Sequence, residues 1–371
     1  MVFRVPRRAP DVSHNENRRG FKLKTMDTSR STQASPQPEL AAKLAFLGRP
    51  EAYPEATARV EALETHMSWV FLTDAHAWKL KKPVRYSYLD FSTAEARRLD
   101  CEEEVRLNRR LAAEIYLGVV PLVNDAEGRL HLGGAGGAVD WLVQMRRLPA
   151  DRMLDHLLCS GAVEQAEIVR LAQRLARFYA EAAVEAIAPA DYRQDLAARI
   201  EDNLHELANP EFGLDPRRLE RLAHLQLRVL QGHPEWFDRR VMQGRIVEGH
   251  GDLRPEHVCL LAEPVIIDCL EFKREFRILD PADELGYLAL ECERLHAPHV
   301  GRWLLDAYCE ASGDAPPEAL IHFYQSCRAV LRAKLALWHL RDDGRHPPDT
   351  WIARARDYLD RAQRHADSAA S

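Results

Sequence analysis

Val247-Glu-Gly-His-Gly-Asp-Leu-Arg-Pro-Glu-His-Val-Cys-Leu-Leu-Ala-Glu-Pro-Val-Ile-Ile-Asp-Cys-Leu-Glu-Phe272 is the stretch on which the reading of this chain turns. Two short apolar runs, Val258–Leu261 and Val265–Ile267, flank Ala262-Glu-Pro264, and a three-residue break between β-type runs reads as a hairpin. The outer ends of a hairpin lie side by side, so His257 comes beside Asp268. Asp252 sits in the loop five residues before His257. An apolar hairpin thus carries three polar groups at its open end.

Upstream, Val60–Thr65, Trp69–Leu72 and His76–Lys81 are short runs joined by turn residues and predict three antiparallel strands. Period-two alternation in the third puts Ala77, Lys79 and Lys81 on one face and His76, Trp78 and Leu80 on the other. Thr93–Ala113 predicts a helix with Leu99, Val105, Leu107 and Leu111 as its apolar positions and Cys101-Glu-Glu-Glu-Val105 in its middle. Gly133-Gly-Ala-Gly-Gly137 lies between two apolar runs with no Lys-Ser/Thr after it, and reads as a hairpin turn rather than a phosphate-binding loop. Ala138–Met145 is mostly apolar and is broken by Arg146-Arg-Leu-Pro149. Further helices are predicted at Glu39–Leu47, Val163–Ile187, Tyr192–Leu207, Pro216–Gln231, Glu318–Leu340 and Thr350–Ala366. Arg328 and Arg332 fall one turn apart on one of these; a solvated basic face is the preferred reading, an anion-binding pair the alternative.

The chain has 371 residues, of which 46% are hydrophobic. That is enough for one two-lobed domain or two ordinary ones. No apolar run approaches the roughly 18 residues that span a bilayer. A formal charge of −6 argues against a nucleic-acid or anionic-membrane partner. The 7 cysteines include no Cys-x-x-Cys pair, which points to reduced thiols in a cytoplasmic protein. Residues 1–38 are rich in Arg, Lys, Ser and Gln, and predict a disordered extension. A transit peptide is disfavoured by Asp11 and Glu16. Met26 opens a sequence that would start normally by itself, so the first 25 residues read as an over-extended start.

His250-Gly-Asp-Leu-Arg-Pro-Glu-His-Val258 followed by Ile266-Ile-Asp268 resembles the catalytic segment of the aminoglycoside phosphotransferase and choline kinase superfamily. Glu64-Thr-His-Met-Ser-Trp-Val-Phe-Leu-Thr73, Trp78-Lys-Leu-Lys-Lys-Pro-Val84, Leu89-Asp-Phe-Ser-Thr93, Cys101-Glu-Glu-Glu-Val-Arg-Leu-Asn-Arg-Arg-Leu111 and Tyr116-Leu-Gly-Val-Val-Pro121 resemble a largely uncharacterised bacterial branch of it. Some members of that branch add a P-loop domain, whose Gly-x-x-x-x-Gly-Lys-Ser/Thr motif this chain lacks.

The resemblance covers about residues 60 to 340 and implies an α+β, protein kinase-like fold with two lobes. A small antiparallel β N-lobe over 39–146 would precede a larger, mainly helical C-lobe over 147–371. It also implies an ATP- or GTP-dependent transfer of phosphate to a hydroxyl of a small molecule. Asp252 is then the catalytic base, and Asp268 and His257 hold Mg²⁺ or Mn²⁺. His257 stands where the family has Asn, and the alternative reading makes it a hydrogen-bonding partner of Asp252 or a phosphate. His76-Ala-Trp-Lys79 resembles the kinase Val-Ala-Ile-Lys strand. Lys79 would hold the α/β-phosphates, with Glu104 as its carboxylate partner and Glu103 as second choice. Ala77, Met145 and Leu148 would border adenine, and Ser68, with Thr65, would face phosphate in place of a Gly-rich loop. Arg277-Ile-Leu-Asp-Pro-Ala-Asp-Glu-Leu-Gly-Tyr287 resembles a segment whose acid caps the catalytic loop, a role for Glu284 or Asp283. The alternative is a degenerate kinase fold that binds nucleotide or a partner protein without chemistry. Oligomeric state is not legible.

Overall fold

The computed structural model describes residues 39–86, 89–341 and 348–371. The extension expected over 1–38, Met26 included, lies outside the described residues. After α1 (Leu40–Leu47), the N-terminal half is built on β1 (Glu61–Glu64), β2 (Ser68–Leu72), β3 (His76–Lys81), a small ladder of β4 (Arg85–Tyr86) and β5 (Leu89–Asp90), α2 (Ala94–Ala112), β6 (Tyr116–Asn124), β7 (Leu130–Leu132) and β8 (Gly137–Arg146). Six of the strands form one antiparallel sheet in the order β1-β2-β3-β8-β6-β7. The register places Val70 opposite Lys79, and Lys79 opposite Val143. Gly133–Gly137 ends in β8 and begins just after β7, so the glycine-rich stretch is the expected turn.

Helix α2 starts where Thr93 Oγ1 accepts the Ala96 N–H at 3.1 Å, an N-cap that satisfies an otherwise orphan donor. Its buried stripe, Arg97, Cys101, Glu104, Asn108 and Leu111, recurs at spacings of three and four but is largely polar. Leu99, expected to be apolar and inward, is instead 53% exposed. The reason is Asp140, an acid buried in the middle of β8. Arg97 grips it with Nε and Nη2 at 2.7 and 2.8 Å, and Lys43 of α1 adds a bond at 2.6 Å. The inward face of α2 is set by this ion cluster and by Glu104, and Leu99 is left on the other side.

The C-terminal half continues with α3 (Leu154–Ser160), α4 (Gln165–Glu181), α5 (Pro189–Leu207), α6 (Pro216–Gly232), α7 (Pro234–Met242), β9 (Val247–Glu248), β10 (Val258–Cys259), β11 (Val265–Ile266), β12 (Ile278–Leu279), α8 (Pro281–Arg294), α9 (Pro298–Ser312), α10 (Glu318–Trp338) and α11 (Pro348–Ala370). The architecture is the expected α+β, kinase-like one, a six-stranded antiparallel sheet followed by a mainly helical part. Helix α4 is shorter than its apolar pattern suggests, because Ala182 turns extended at its C-terminus. Leu285 and Leu288 of α8 and Leu253, Val258 and Ile266 of the hairpin region share a core with α4 and α9. This core is the platform on which the hairpin stands.

Because Lys43, Arg97 and Asp140 are all nearly inaccessible, Asp140→Ala leaves two buried cations without a carboxylate. The expected loss is about 3–5 kcal/mol of unfolding free energy, read from urea denaturation. A loss under about 1 kcal/mol would show that the cluster does not hold α1 and α2 to the sheet.

Candidate active site

The hairpin forms as expected but with shorter strands: Val258 pairs with Ile266 and Cys259 with Val265. The Ile267 N–H donates to His257 O at 2.9 Å, which extends the ladder to the polar end. There His257 Nδ1 lies 2.8 Å from the Asp252 carbonyl. A carbonyl can only accept, so Nδ1 carries a proton. Nε2 points to Asp268 Oδ2 at 3.4 Å and receives Arg254 Nη2 at 3.2 Å. The three residues singled out from the sequence are thus together.

Asp252 is held from both sides. Arg254 Nε donates to Oδ2 at 3.0 Å and Tyr287 Oη to Oδ1 at 3.2 Å. Burial works against its charge, but Arg254, His257 and Arg332 outweigh it and bring the pKa down to about 2. The carboxylate is therefore ionised throughout the physiological range.

Asp268 adopts φ 61°, a left-handed conformation that Asp tolerates better than most residues but at some cost. Two contacts from the N-terminal half fix it. Its N–H donates to Tyr116 Oη at 3.1 Å, and the next N–H, of Cys269, to Asn108 Oδ1 at 2.9 Å. Burial opposes the Asp268 charge, yet Lys79 and His257 hold its carboxyl well below the usual range.

Lys79 Nζ lies 2.9 Å from Glu104 Oε1 and 2.7 Å from Asp268 Oδ1. Glu104, fully buried, is the partner; Glu103 pairs instead with Arg106 and Arg277. Burial alone would lower the Lys79 pKa, but Asp268, Glu104 and Glu271 raise it well above the ordinary value. Lys81, on the same strand face, completes the cluster. It reaches Asp100 at 2.6 Å, Glu104 Oε2 at 2.7 Å and Glu271 at 2.5 Å. Two ammonium groups thus face four carboxylates, Asp100, Glu104, Asp268 and Glu271.

Ala77 faces Met145 across β3 and β8. Both belong to an apolar cluster with Leu148 and Ile267 against its edge, directly before Asp268. The N–H groups of Arg146 and Arg147 are taken by Ile115 O and Ala75 O. Ser68 lies apart from these, at the turn end of β2 and 3% exposed, its N–H on Thr65 Oγ1 at 3.0 Å. The same turn is clamped by Lys82, which reaches Glu64 at 2.6 Å and Thr65 O at 2.5 Å.

Behind the loop, Glu284 does what was expected of it or its neighbour. It accepts the His250 N–H at 3.0 Å, the Gly251 N–H, and Tyr179 Oη at 2.7 Å. Gly251 has φ +89°, and a Cβ there would meet Leu270 side-chain atoms at 3.0 Å, so only glycine fits. Asp283 turns the other way and binds Arg328 bidentately at 2.7 and 2.8 Å. The solvated basic face expected of Arg328 and Arg332 is therefore corrected: their side chains are 12% and 18% exposed and line a cavity of about 900 Å³ that also borders Asp252. Tyr116, Asn108, Arg254 and Lys81 were not picked out from the sequence as site residues. Only Lys81 had a local signal, its place on the Lys79 face.

No family model matches the chain. An uncharacterized protein of Mycobacterium tuberculosis is 34% identical over 279 residues, which are 74% of this chain and 54% of that protein. One from Mycobacterium bovis matches to the same extent. The chain spans about half the length of these curated relatives. Among solved structures, a choline/ethanolamine kinase family protein from Mesorhizobium loti superposes with a TM-score of 0.53 at 17% identity, covering 89% of this chain and 99% of that one. The chain has the fold of that choline/ethanolamine kinase family protein. Within this choline kinase-like fold, Lys79 and Glu104 come from the sheet and α2, and Asp252, His257 and Asp268 from the hairpin region. All seven cysteines are free thiols. Among the described residues no helix is long and apolar enough to cross a membrane.

His250 supplies a pH test of the loop. Its Nε2–H donates to Ile267 O at 2.9 Å, and Nδ1 faces the Asp252 N–H at 3.4 Å, so the folded ring is neutral. Burial, reinforced by His257, pushes its pKa down to about 3, whereas an unfolded His titrates near 6.5. Between those values the unfolded chain binds a proton that the folded chain refuses, so stability falls as pH falls through the window. His250→Gln should flatten the stability–pH slope between about pH 6.5 and 4 by up to about 1.4 kcal/mol per pH unit, measured by urea unfolding. An unchanged slope would remove His250 from the acid response.

Proposed function

We propose that this protein is a small-molecule kinase that moves the γ-phosphoryl group of ATP or GTP to a hydroxyl of its substrate. The observation that carries the reading is the Lys79 ammonium group bridging Glu104 and Asp268, with His257 joining Asp268 to the Asp252 loop and a cavity open against Asp252. Ala77, Met145 and Leu148 would receive the purine, and Lys79 the α/β-phosphates. Ser68 would contact phosphate only by a change at its turn, since it is buried there.

A divalent cation fits the donor set. The carboxylates outnumber the ammonium groups around Lys79, and Asp268 Oδ2 and His257 Nε2 stand 3.4 Å apart, close enough to share one ion. Among the described residues no group of three or more His, Cys, Asp or Glu could hold a metal. Two protein donors accord with a Mg²⁺ or Mn²⁺ ion otherwise held by phosphate oxygens and water. When bound, such an ion neutralises charge on the transferring phosphates. Asp252 orients the acceptor hydroxyl and takes its proton as the hydroxyl oxygen bonds to Pγ; the bond from Pγ to the β-phosphate oxygen breaks, and the nucleoside diphosphate leaves. Lys79 and Arg254 offset the charge of the phosphates.

One observation favours nucleotide binding without transfer as the second reading. Both Asp252 oxygens already have partners, Arg254 and Tyr287, and an acceptor must displace or share them.

Substitutions separate the two readings. Lys79→Ala should weaken ATP binding about tenfold or more. Asp252→Asn should leave binding nearly intact and lower phosphoryl transfer by about 10²–10⁴, scored as ADP release against pooled hydroxyl metabolites. Transfer unchanged in Asp252→Asn would show that another group is the base. Binding with no transfer by wild type to any pool supports the second reading.

The metal site is tested by His257→Asn. Imidazole nitrogen suits Mn²⁺ better than Mg²⁺, and an amide oxygen reverses the preference. The variant should shift toward Mg²⁺ while keeping nucleotide affinity. An unchanged Mn²⁺/Mg²⁺ ratio removes His257 from the metal shell.

A further inference from the structure

The cavity beside Asp252 has a wall that none of the steps above uses. It lies between α5 and α10, with the segment around Phe272 and Phe276 on a third side. Leu331, Leu335 and Trp338 make the α10 side largely apolar, and Arg332 projects there one turn after Arg328. The two arginines differ in what they hold. Arg328 is matched by Asp283 through a bidentate pair. Arg332 makes no such pair: its guanidinium lies over the Tyr358 ring, 5.7 Å from the centroid, and its Nε is 3.5 Å from Tyr358 Oη and 3.8 Å from Glu291 Oε1. Both contacts are long for hydrogen bonds, and Glu291 is already held by Tyr358 at 2.6 Å and Arg294 at 2.7 Å. Among the described residues neither Nη group of Arg332 has a hydrogen-bond partner.

Most carboxylates around the cavity are committed elsewhere or face solvent; the exception is Asp202, whose Oδ2 is buried and has no hydrogen-bond partner among the described residues. Asp252 serves Arg254 and Tyr287, and Asp202 lies in the field of the Lys334 ammonium group. Asp195 and Glu275 are exposed. From the opposite wall α5 contributes a second half-buried cation, Arg199, for which no ion pair forms among the described residues. A guanidinium group mostly withdrawn from water, whose Nη groups reach only the cavity, is a ready partner for an oxyanion. Its planar geometry fits a carboxylate or phosphate bidentately. A cationic amino alcohol would instead meet a like charge in a low-dielectric cavity.

We infer that the phosphate acceptor is itself an anion, a hydroxy acid or a sugar phosphate, whose carboxylate or phosphate docks on Arg332 while its hydroxyl faces Asp252. The inference rests on the phosphotransferase reading for the hydroxyl, and on the cavity alone for the anion.

The test measures binding, so that it does not depend on turnover. Thermal shifts of the full chain, saturated with MgADP, are recorded with glycerate, glycerol 3-phosphate and glucose 6-phosphate, and with glycerol, glucose, choline and glucosamine. At least one anionic probe should stabilise the protein where its uncharged counterpart does not; glycerate against glycerol 3-phosphate tells carboxylate from phosphate. Arg332→Gln should weaken that response about tenfold or more, and Arg129→Gln, at an exposed site between β6 and β7, should leave it in place. If Arg332→Gln does not fold, Arg332→Lys keeps the charge but loses the fork, and must still weaken the probe. No response to any anion, or a response that survives in the Arg332 variant or is lost equally in Arg129→Gln, overturns the inference. A lost MgADP shift with the anion response intact sinks the phosphotransferase reading instead, and leaves the anion site standing.

Discussion

A single ammonium group stands where the parts of this molecule meet. Lys79 Nζ comes from the sheet, Glu104 from α2 and Asp268 from the end of the β10–β11 hairpin, and both carboxylates lie within 2.9 Å of the ammonium group. A buried charge of this kind is tolerable only with its partners in place. Once the lysine is withdrawn from water, the helix and the hairpin have one geometry open to them. Arg110 reinforces the same seam by donating to the carbonyls of Glu248 and Gly249 at 2.9 and 2.8 Å, and Asn108 and Tyr116 hold the backbone at Asp268 and Cys269. The chemistry proposed for the site uses the charges that join the two halves.

The loop itself is held by polar groups that have no access to water. Glu284 collects two backbone N–H groups and a tyrosine hydroxyl. Burial pushes its carboxyl pKa up even so, against those hydrogen bonds. Nearby, Asp280 caps α8 by accepting the Ala282 N–H at 2.9 Å while pairing with Arg240. These acids set the backbone from behind, and the cavity side is left to Asp252, Arg328 and Arg332. Such a division separates the groups that shape the loop from those that line the cavity.

Much of this was legible in the sequence where a role depends on short segments with fixed spacing. The hairpin, the lysine strand, the carboxylate of α2 and the loop acids are each readable within about a dozen residues, and they meet where the pattern requires. The sequence was silent where the partner is distant. Nothing near Tyr116 announces a contact 152 residues away, nor near Asn108 one 161 residues away. Charge also misled by default. Arg328 looked solvated because its partner Asp283 lies 45 residues upstream, and Leu99 looked buried because the Arg97–Asp140 pair that takes the inward face is invisible to an apolar count.

Glu284 and Gly249 also constrain each other as positions. A Cβ at residue 249 would lie 2.8 Å from Glu284 Oε2 and 2.9 Å from a Leu279 methyl, closer than non-bonded atoms come. The longer acid therefore reaches the loop only because the backbone opposite it is bare. An alanine at 249 would have to displace both the carboxylate and Leu279 at once. The bare backbone at this position is therefore part of the acid's hold on the loop, and neither can be altered without the other being felt.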